Sequence, residues 1–239
     1  MRQPGYFYSQ HLGTNLDFVW HGDRGPALIL LPTSGGNHLE NEDRGLIRAL
    51  NPAIDSGEVQ AICVASVNNE SWGRKDLPPE ERLRRHDLYD RFLADEFVPW
   101  VKKHSHHPDA MIYGASMGGF HAVNFAARHP ELVKRAIALS GFFDLQRILS
   151  NGWWDELCYY HSPLHFIPNM DAEWCAKLSK VEWVVATGEQ DSLVEETRRL
   201  AWVLRSKGIP VKEEIWPGVF GHDWPFWQEH LPRLISVPI

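Results

Sequence analysis

The chain has 239 residues, of which 44% are hydrophobic and 23% are charged, and its formal net charge is −7. This acidic balance argues against a nucleic-acid-binding protein, because contact with phosphates needs clustered lysine and arginine. The longest apolar runs are too short to cross a bilayer, and the start MRQPGYFYSQ lacks the basic and apolar parts of a secretion signal. We therefore expect a soluble cytoplasmic protein, folded as a single domain over residues 1–239.

The first part of the chain predicts a hairpin followed by alternating strands and helices. A turn at Gly13-Thr14-Asn15 separates two strand-like segments, and the run ALILL is typical of a strand that is buried on both faces. The predicted elements are strands over residues 5–11, 16–20, 27–31 and 59–67 and a helix over residues 39–50.

The rest of the chain continues the alternation. Pro78-Pro79-Glu80-Glu81 is typical of a helix start, and the apolar residues that follow recur three or four apart. We predict helices over residues 78–104, 118–128, 193–207 and 224–235, and strands over residues 110–113, 136–139, 181–186 and 211–216. Strands alternating with helices indicate a mostly parallel central sheet flanked by helices.

The alternation breaks after the sixth strand, between residues 142 and 180, where no clean strand pattern is visible. Such an excursion either forms a small cap or pocket wall or is a surface segment that buries its own aromatic side chains. The sequence leaves both interpretations open. Candidate substrate-pocket residues are Thr33 and four tryptophans, although tryptophans beside helices are more often core residues; the tryptophans are Trp153, Trp154, Trp224 and Trp227.

The segment IYGASMGGF, residues 112–120, places one serine among small residues directly after an apolar run. Gly114, Ser116 and Gly118 form the pattern G-x-S-x-G between a predicted strand and a predicted helix. A sharp strand-to-helix turn needs neighbours without bulk and leaves the residue at its corner exposed and strained. The pattern therefore predicts a nucleophile elbow at Ser116, with the N–H groups of the following helix placed to bind an oxyanion.

A serine hydroxyl becomes an effective nucleophile only when a base accepts its proton, and in this arrangement the acid and the histidine follow the serine in the chain. The predicted base is His222, in the loop VFGHDW after the last strand. The predicted acid is Asp191, in the loop GEQD, where it also stands in position to cap the next helix. Glu189 and Asp144 are the alternatives for the acid.

Two preorganised donors are needed for the oxyanion of a tetrahedral intermediate. The first predicted donor is the backbone N–H of Met117, the residue after the nucleophile. The second is expected in the loop PTSGGN after the early buried strand, where we choose the Ser34 N–H, with Thr33 next. A phosphate-binding interpretation of this loop is poor, because neither GK[ST] nor G-x-G-x-x-G is present.

Two further features bear on metals and redox chemistry. Three widely spaced cysteines without a CxxC pair suit a reducing compartment and predict no zinc site; they are Cys63, Cys158 and Cys175. The run His104-Ser105-His106-His107 looks like a metal cluster, but it lies in a short loop without Asp or Cys at ligand spacing. We interpret it as a solvated loop and expect no metal.

Four stretches of the chain resemble a known family. They are LILLPTSGG, IYGASMGGFHAV, VATGEQDSL and GHDWPFWQEHLPRLI, which together span most of the sequence. They resemble the α/β-hydrolase esterases that include S-formylglutathione hydrolase, the enterochelin esterases and the mycolyltransferases. The resemblance implies an α/β-hydrolase fold and a serine carboxylesterase without metal or organic cofactor.

By the same resemblance, Ser116, Asp191 and His222 fall where the family's catalytic triad falls, and Ser34 falls where its second oxyanion donor falls. The loop Pro-Thr-Ser-Gly-Gly departs from the family's more usual glycine-led turn. The chain is also short for the family, so a large lid is not expected.

We therefore expect a serine carboxylesterase that hydrolyses an ester of a small or medium-sized substrate through an acyl-enzyme intermediate. The alternatives are an acyltransferase that uses the same triad with an alcohol in place of water, and a non-catalytic binding protein on the same scaffold. The expected partner is a small-molecule ester, with no nucleic acid and no membrane, and a homo-oligomer is left open.

Overall fold

A computed structural model describes residues 1–149 and 152–239. Within these ranges eight strands form one sheet in the order β1-β2-β4-β3-β5-β6-β7-β8. The strands are β1 (Arg2–Ser9), β2 (Thr14–His21), β3 (Ala27–Leu31), β4 (Gln60–Val64), β5 (Ala110–Ala115), β6 (Arg135–Leu139), β7 (Glu182–Gly188) and β8 (Val211–Trp216). The pairs β1–β2 and β2–β4 are antiparallel and the other five pairs are parallel, which confirms the predicted mostly parallel sheet.

The helices cover both faces of this sheet. Those of the described residues are α1 (Glu40–Asp43), α2 (Leu46–Ser56), α3 (Pro79–Arg91), α4 (Val98–His104), α5 (Met117–Arg128), α6 (Glu156–Tyr160), α7 (Pro163–Phe166), α8 (Ala172–Leu178), α9 (Val194–Ser206) and α10 (Trp224–Leu234). Ile29 of β3 packs in the apolar layer with α3, α4, α5 and α9, whereas Leu28 and Leu30 pack in the layer with α2 and α10. The strand is wholly apolar because both of its faces are covered.

The single helix predicted over residues 39–50 is wrong. The structure has the short helix α1, then Gly45 at φ 77°, and then α2, which continues to Ser56. A left-handed backbone conformation ends one helix and redirects the chain, and glycine adopts it without the steric cost that a Cβ atom brings.

The helix predicted over residues 78–104 is divided into three parts. A π-helical stretch, Phe92–Phe97, lies between α3 and α4. Pro99 stands in the first turn of α4 and has no N–H to donate to the preceding turn. The wider π-helical turn before Pro99 accommodates the missing hydrogen bond. The amphipathic pattern therefore continues into α4 although the helical pitch changes.

The excursion between β6 and β7 contains helices and no strand in its described residues; residues 150 and 151 lie outside the described ranges. It carries α6, α7 and α8 together with two 3₁₀ turns, Leu145–Arg147 and Ile167–Asn169. A single domain with a cap over residues 142–180 stays a prediction. Among the residues that the structure describes, none of the helices combines the length and apolar character that a bilayer crossing requires.

Candidate active site

Ser116 lies at the corner between β5 and α5. Its backbone φ is 53° and ψ is −118°, a strained conformation for a residue with a side chain. A Cβ atom on Gly114 would lie 2.0 Å from the Gly118 backbone, and one on Gly118 would lie 2.7 Å from the Leu31 carbonyl oxygen. The glycines are therefore required by the close approach of strand and helix, and the tight turn holds Ser116 half-exposed at the carboxyl edge of the sheet.

The structure brings the predicted nucleophile, base and acid together. His222 Nε2 lies 3.2 Å from Ser116 Oγ, although the two residues are 106 positions apart. On the other side of the ring, Nδ1 lies 3.1 Å from both carboxylate oxygens of Asp191. Because an ionised carboxylate only accepts hydrogen bonds, Nδ1 carries the proton and the Nε2 lone pair faces the serine hydroxyl.

Asp191 lies in the β7–α9 loop with its side chain fully buried. Thr187 Oγ1 donates to Oδ2 at 2.6 Å, and the Leu193 backbone N–H donates to Oδ1 at 2.9 Å. Burial alone raises the pKa of this carboxyl, but hydrogen bonds from His222, Thr187 and Leu193 outweigh burial and leave the pKa below its ordinary value. The aspartate therefore stays ionised beside the imidazole, and it also receives an N–H at the start of α9.

The two alternative acids bind elsewhere. Glu189 is exposed and accepts the Gly218 N–H at 2.9 Å. Asp144 accepts the Gln146 N–H at 2.9 Å at the start of the 3₁₀ turn after β6, and it lies 3.7 Å from His165. The geometry therefore favours Asp191 over both alternatives as the partner of His222.

The loop that carries His222 is tied to the end of β6 by contacts that sequence reasoning missed. Ser140 is fully buried, has φ 52°, and donates its hydroxyl to the Gly221 carbonyl. Trp227 of α10 donates its indole N–H to Ser140 Oγ at 3.1 Å. The sequence feature that could have indicated this contact is the pair Ser140-Gly141, which directly follows the buried strand β6 just as the elbow follows β5.

The two predicted oxyanion donors lie on different elements. Met117 is the first residue of α5, where backbone N–H groups have no acceptor within the helix. In the β3–α1 loop, Glu40 takes both donors of Thr33, the N–H at 2.8 Å and the hydroxyl at 2.7 Å. Thr33 is thereby removed as an oxyanion donor, which leaves the Ser34 N–H as the next donor along the loop.

The structure does not bring the candidate pocket tryptophans together. Trp153 and Trp154 pack against the apolar cluster that contains Met117 and therefore lie on the side of the elbow. Trp224 packs on Trp227 with 5.0 Å between ring centroids, in the layer on the opposite face of the sheet. Trp227 itself is buried and serves the core and the Ser140 contact.

In the described part of the chain, no group of three or more His, Cys, Asp or Glu side chains is placed to hold a metal ion. The solvated loop predicted over residues 104–107 is only partly present. His104 is the last residue of α4, where its Nδ1 lies 2.7 Å from the Trp100 carbonyl oxygen, and Ser105 is buried.

A mostly parallel sheet with a serine elbow and a downstream acid and histidine at its carboxyl edge defines the α/β-hydrolase fold. Solved structures share this fold over nearly the whole chain. A ferulic acid esterase is 21% identical, with a TM-score of 0.77 over 98% of this chain and 96% of that chain. An S-formylglutathione hydrolase from Staphylococcus aureus is 19% identical, with a TM-score of 0.64 over 99% and 95%. MPT51 of Mycobacterium tuberculosis is 18% identical, with a TM-score of 0.71 over 97% of each chain.

The family follows from the sequence match. The family model described as "Putative esterase" matches residues 41–235, and the chain belongs to this family. No curated protein matches the chain by sequence. The predicted resemblance is confirmed, since the chain belongs to an esterase family and shares the α/β-hydrolase fold of these structures.

Proposed function

We propose that the protein is a serine carboxylesterase that hydrolyses an ester of a small or medium-sized substrate through an acyl-enzyme intermediate, with Ser116, His222 and Asp191 as its catalytic triad. The contact that supports this most directly is the 3.2 Å approach of His222 Nε2 to Ser116 Oγ. This distance is at the upper end of hydrogen-bond reach between a nucleophile and its base, and such contacts commonly tighten when substrate binds.

Acylation begins when Ser116 Oγ attacks the ester carbonyl carbon and its proton passes to His222 Nε2. The carbonyl oxygen becomes an oxyanion, which the N–H groups of Met117 and Ser34 stabilise. When the tetrahedral intermediate collapses, the bond to the alcohol breaks and the imidazolium returns the proton to the leaving oxygen. The acyl group is then attached to Ser116 and His222 is neutral again.

Deacylation repeats these steps with water as the nucleophile. The water oxygen attacks the acyl carbon while His222 accepts a proton from the water. The imidazolium then protonates Ser116 Oγ as the bond between Oγ and the acyl carbon breaks and the acid departs. In both halves Asp191 stabilises the imidazolium, and its ionisation is secured by the Thr187 and Leu193 donors.

The substrate class is inferred from the surroundings of the elbow. Met117 belongs to an apolar cluster with Phe142, Leu145 and Leu193, beside which Trp153 and Trp154 pack. Such surroundings favour an acyl group with apolar or aromatic character. Ferulic acid esterase and S-formylglutathione hydrolase occur among the structures with this fold, so a hydroxycinnamoyl ester and a glutathione thioester are the natural first substrates to test.

The proposal is tested with a fluorescent organophosphonate that reacts with activated serines. We expect labelling of the wild-type protein and none of Ser116→Ala, with circular dichroism showing that both are folded. If folded wild-type protein is not labelled and cleaves none of a series of nitrophenyl esters, the triad is not functional and the protein is a binding protein on this scaffold.

A second measurement separates hydrolysis from acyl transfer, since both reactions use the same triad. Wild-type protein is given an ester that it cleaves together with increasing concentrations of a competing alcohol. We expect the free acid to remain the main product, because deacylation by water is the proposed step. A product mixture dominated by the new ester would make the protein an acyltransferase.

A further inference from the structure

The peptide unit between Thr33 and Ser34 carries both the Thr33 carbonyl and the Ser34 N–H. In a planar trans peptide these two groups point in opposite directions, so fixing one fixes the other. Asn68 Nδ2 donates to the Thr33 carbonyl oxygen at 3.2 Å. The Gly36 N–H donates to the same carbonyl at 3.1 Å within the loop's own turn. The direction of the Ser34 N–H is therefore fixed from behind the peptide both by this turn and by Asn68, a side chain in a different loop, the one after β4.

The Asn68 amide is itself oriented. Its side chain is almost completely buried, and its Oδ1 lies 2.8 Å from His121 Nε2. Because a carbonyl only accepts, the NH₂ end of Asn68 must face Thr33, and Oδ1 is left to accept from His121. Burial lowers the pKa of His121 to about 3, so its ring is neutral and donates from Nε2 without bringing a charge. His121 is on α5, the helix that begins at the elbow.

Thr33 is held on its other side as well. Glu40 accepts the Thr33 N–H and hydroxyl at 2.8 and 2.7 Å, so all three polar groups of this residue are engaged. Glu40 therefore holds the N–H and hydroxyl of Thr33, while Asn68, oriented by His121, holds the carbonyl of the Thr33–Ser34 peptide.

We propose that Asn68, oriented by His121, is a positioning residue for the oxyanion hole, because it directs the Ser34 N–H toward the oxyanion and polarises the peptide that carries it. The inference rests on the proposed function, since it assigns a task to the proposed donor Ser34. A hydrogen bond accepted by a carbonyl strengthens donation by the N–H of the same peptide unit. The contribution is realised mainly when charge develops on the substrate oxygen, so it affects kcat rather than binding of the neutral ester.

The test uses Asn68→Leu, which keeps the volume of the side chain and removes both hydrogen bonds. Misdirecting one donor lowers kcat by about 10- to 100-fold, which is less than the loss expected when a donor is removed outright. We expect KM on a nitrophenyl ester to change little. In the NMR spectrum of the enzyme the Ser34 amide proton resonance is expected to shift upfield, because the hydrogen bond on its peptide unit is lost.

His121 provides a second pair of variants that reports on the same network. His121→Phe retains an aromatic ring and removes the donor, whereas His121→Gln keeps an N–H at the end of the side chain. We expect His121→Phe to lower kcat in the same direction as Asn68→Leu and to add little to it in the double variant. His121→Gln is expected to restore most of the activity.

Asn124→Leu is the matched control. Asn124 is a buried asparagine on the same helix as His121, but its amide contacts His161 rather than the oxyanion loop. We expect a lower Tm with unchanged kcat and an unchanged Ser34 resonance.

The inference is overturned if folded Asn68→Leu and His121→Phe keep the wild-type kcat, or if kcat falls equally in Asn124→Leu. If Asn68→Leu does not fold, the His121 pair decides alone. Failure of the proposed function looks different, because then the wild-type protein itself neither cleaves esters nor reacts with the phosphonate at Ser116.

Discussion

Two histidine–carboxylate pairs of similar geometry lie in different parts of this molecule. His222 Nδ1 is 3.1 Å from Asp191, and its side chain is 26% exposed at the carboxyl edge of the sheet. His161 Nε2 is 3.0 Å from Asp87, and its side chain is completely buried. The first pair faces a serine hydroxyl and solvent, whereas the second faces the Asn124 amide and the Arg128 guanidinium.

The comparison shows that a histidine and a carboxylate in contact do not make a catalytic base. A base needs a free ring nitrogen directed at a nucleophile and a path for substrate and water. Both ring nitrogens of His161 are engaged within the protein. Burial, and after it the charge of Arg128, lowers the pKa of His161 and outweighs the opposite effect of Asp87. We therefore assign a structural role to the buried pair, and the following variants test this contrast.

The largest difference is expected between the two histidines. His222→Ala removes the proposed base and is expected to lower kcat by about 10⁵- to 10⁶-fold, the loss typical of a serine hydrolase without its catalytic histidine. His161→Phe fills the buried site with an apolar ring and is expected to leave kcat unchanged while lowering Tm. Steady-state kinetics and thermal melts of both variants check this, and a large loss of kcat in folded His161→Phe would contradict the assignment.

The two aspartates are expected to separate in the same way. Asp191→Asn keeps the shape but favours the wrong imidazole tautomer, which lowers kcat by about 10⁴-fold. Asp87→Asn is expected to retain kcat but to destabilise the fold by about 1.5–3 kcal/mol, because the buried His161 loses a charged hydrogen-bond partner, whereas the half-buried Arg128 keeps Asp90. Urea unfolding together with kinetics distinguishes the two outcomes. Wild-type kcat in Asp191→Asn would show that another carboxylate serves His222.

A smaller effect is expected at Thr187, whose hydroxyl donates to Asp191 at 2.6 Å. Thr187→Val removes a hydrogen bond to a charged group, which is worth about 1.5–3 kcal/mol, and we expect about a tenfold loss of kcat. Thr187→Ser keeps the hydroxyl and serves as the control. Equal kcat values for the valine and serine variants would show that the hydroxyl does not hold the carboxylate.

The smallest effect concerns the dependence of stability on pH. Burial first, then the neighbouring His161 and His121, hold the pKa of His86 well below its ordinary value, and neither of its ring nitrogens has a hydrogen-bond partner in the described residues. A folded pKa below the unfolded value of about 6.5 means that the unfolded chain binds more protons below that pH. Stability is therefore complete above about pH 6.5 and falls as the pH drops, by up to about 1.4 kcal/mol per pH unit for each such histidine.

His86→Phe isolates the contribution of His86 to this pH dependence of stability. Phenylalanine suits a site where the ring already lies among Trp72 and Phe120, and replacing an unsatisfied polar group by an apolar one is neutral or stabilising. Urea unfolding between about pH 4.5 and 6.5 is expected to show a shallower pH dependence than in the wild type. Because the pKa values of Asp87 and Asp90 are lowered in the folded protein, these carboxylates contribute to the pH dependence of stability below this range of pH. An unchanged slope would show that His86 does not titrate on unfolding.

Predictions from sequence were most accurate where local pattern and tertiary role agree. The bounds of β3 and β8 were predicted without error, because a short run between breakers has few alternative placements. The helix over residues 39–50 was wrong, because the periodic apolar pattern continued across Gly45 and hid the left-handed turn there. The hydrogen bond from Thr33 to Glu40 was not predictable, since it depends on how the β3–α1 loop folds back on the start of α1.

The amino-acid sequence by itself determined the elbow at Ser116 and the order of serine, acid and histidine, since a strand-to-helix turn with small residues is a local property of the backbone. The sequence favoured Asp191 and Ser34 but left Glu189 and Thr33 open as alternatives. Only the tertiary structure placed Asp191 against His222 and Glu40 against Thr33, and only it joined Ser116 to His222. The physical reason is that parallel strands, whatever their separation in sequence, end at one edge of the sheet. Which side chains meet there depends on the order in which the strands pair.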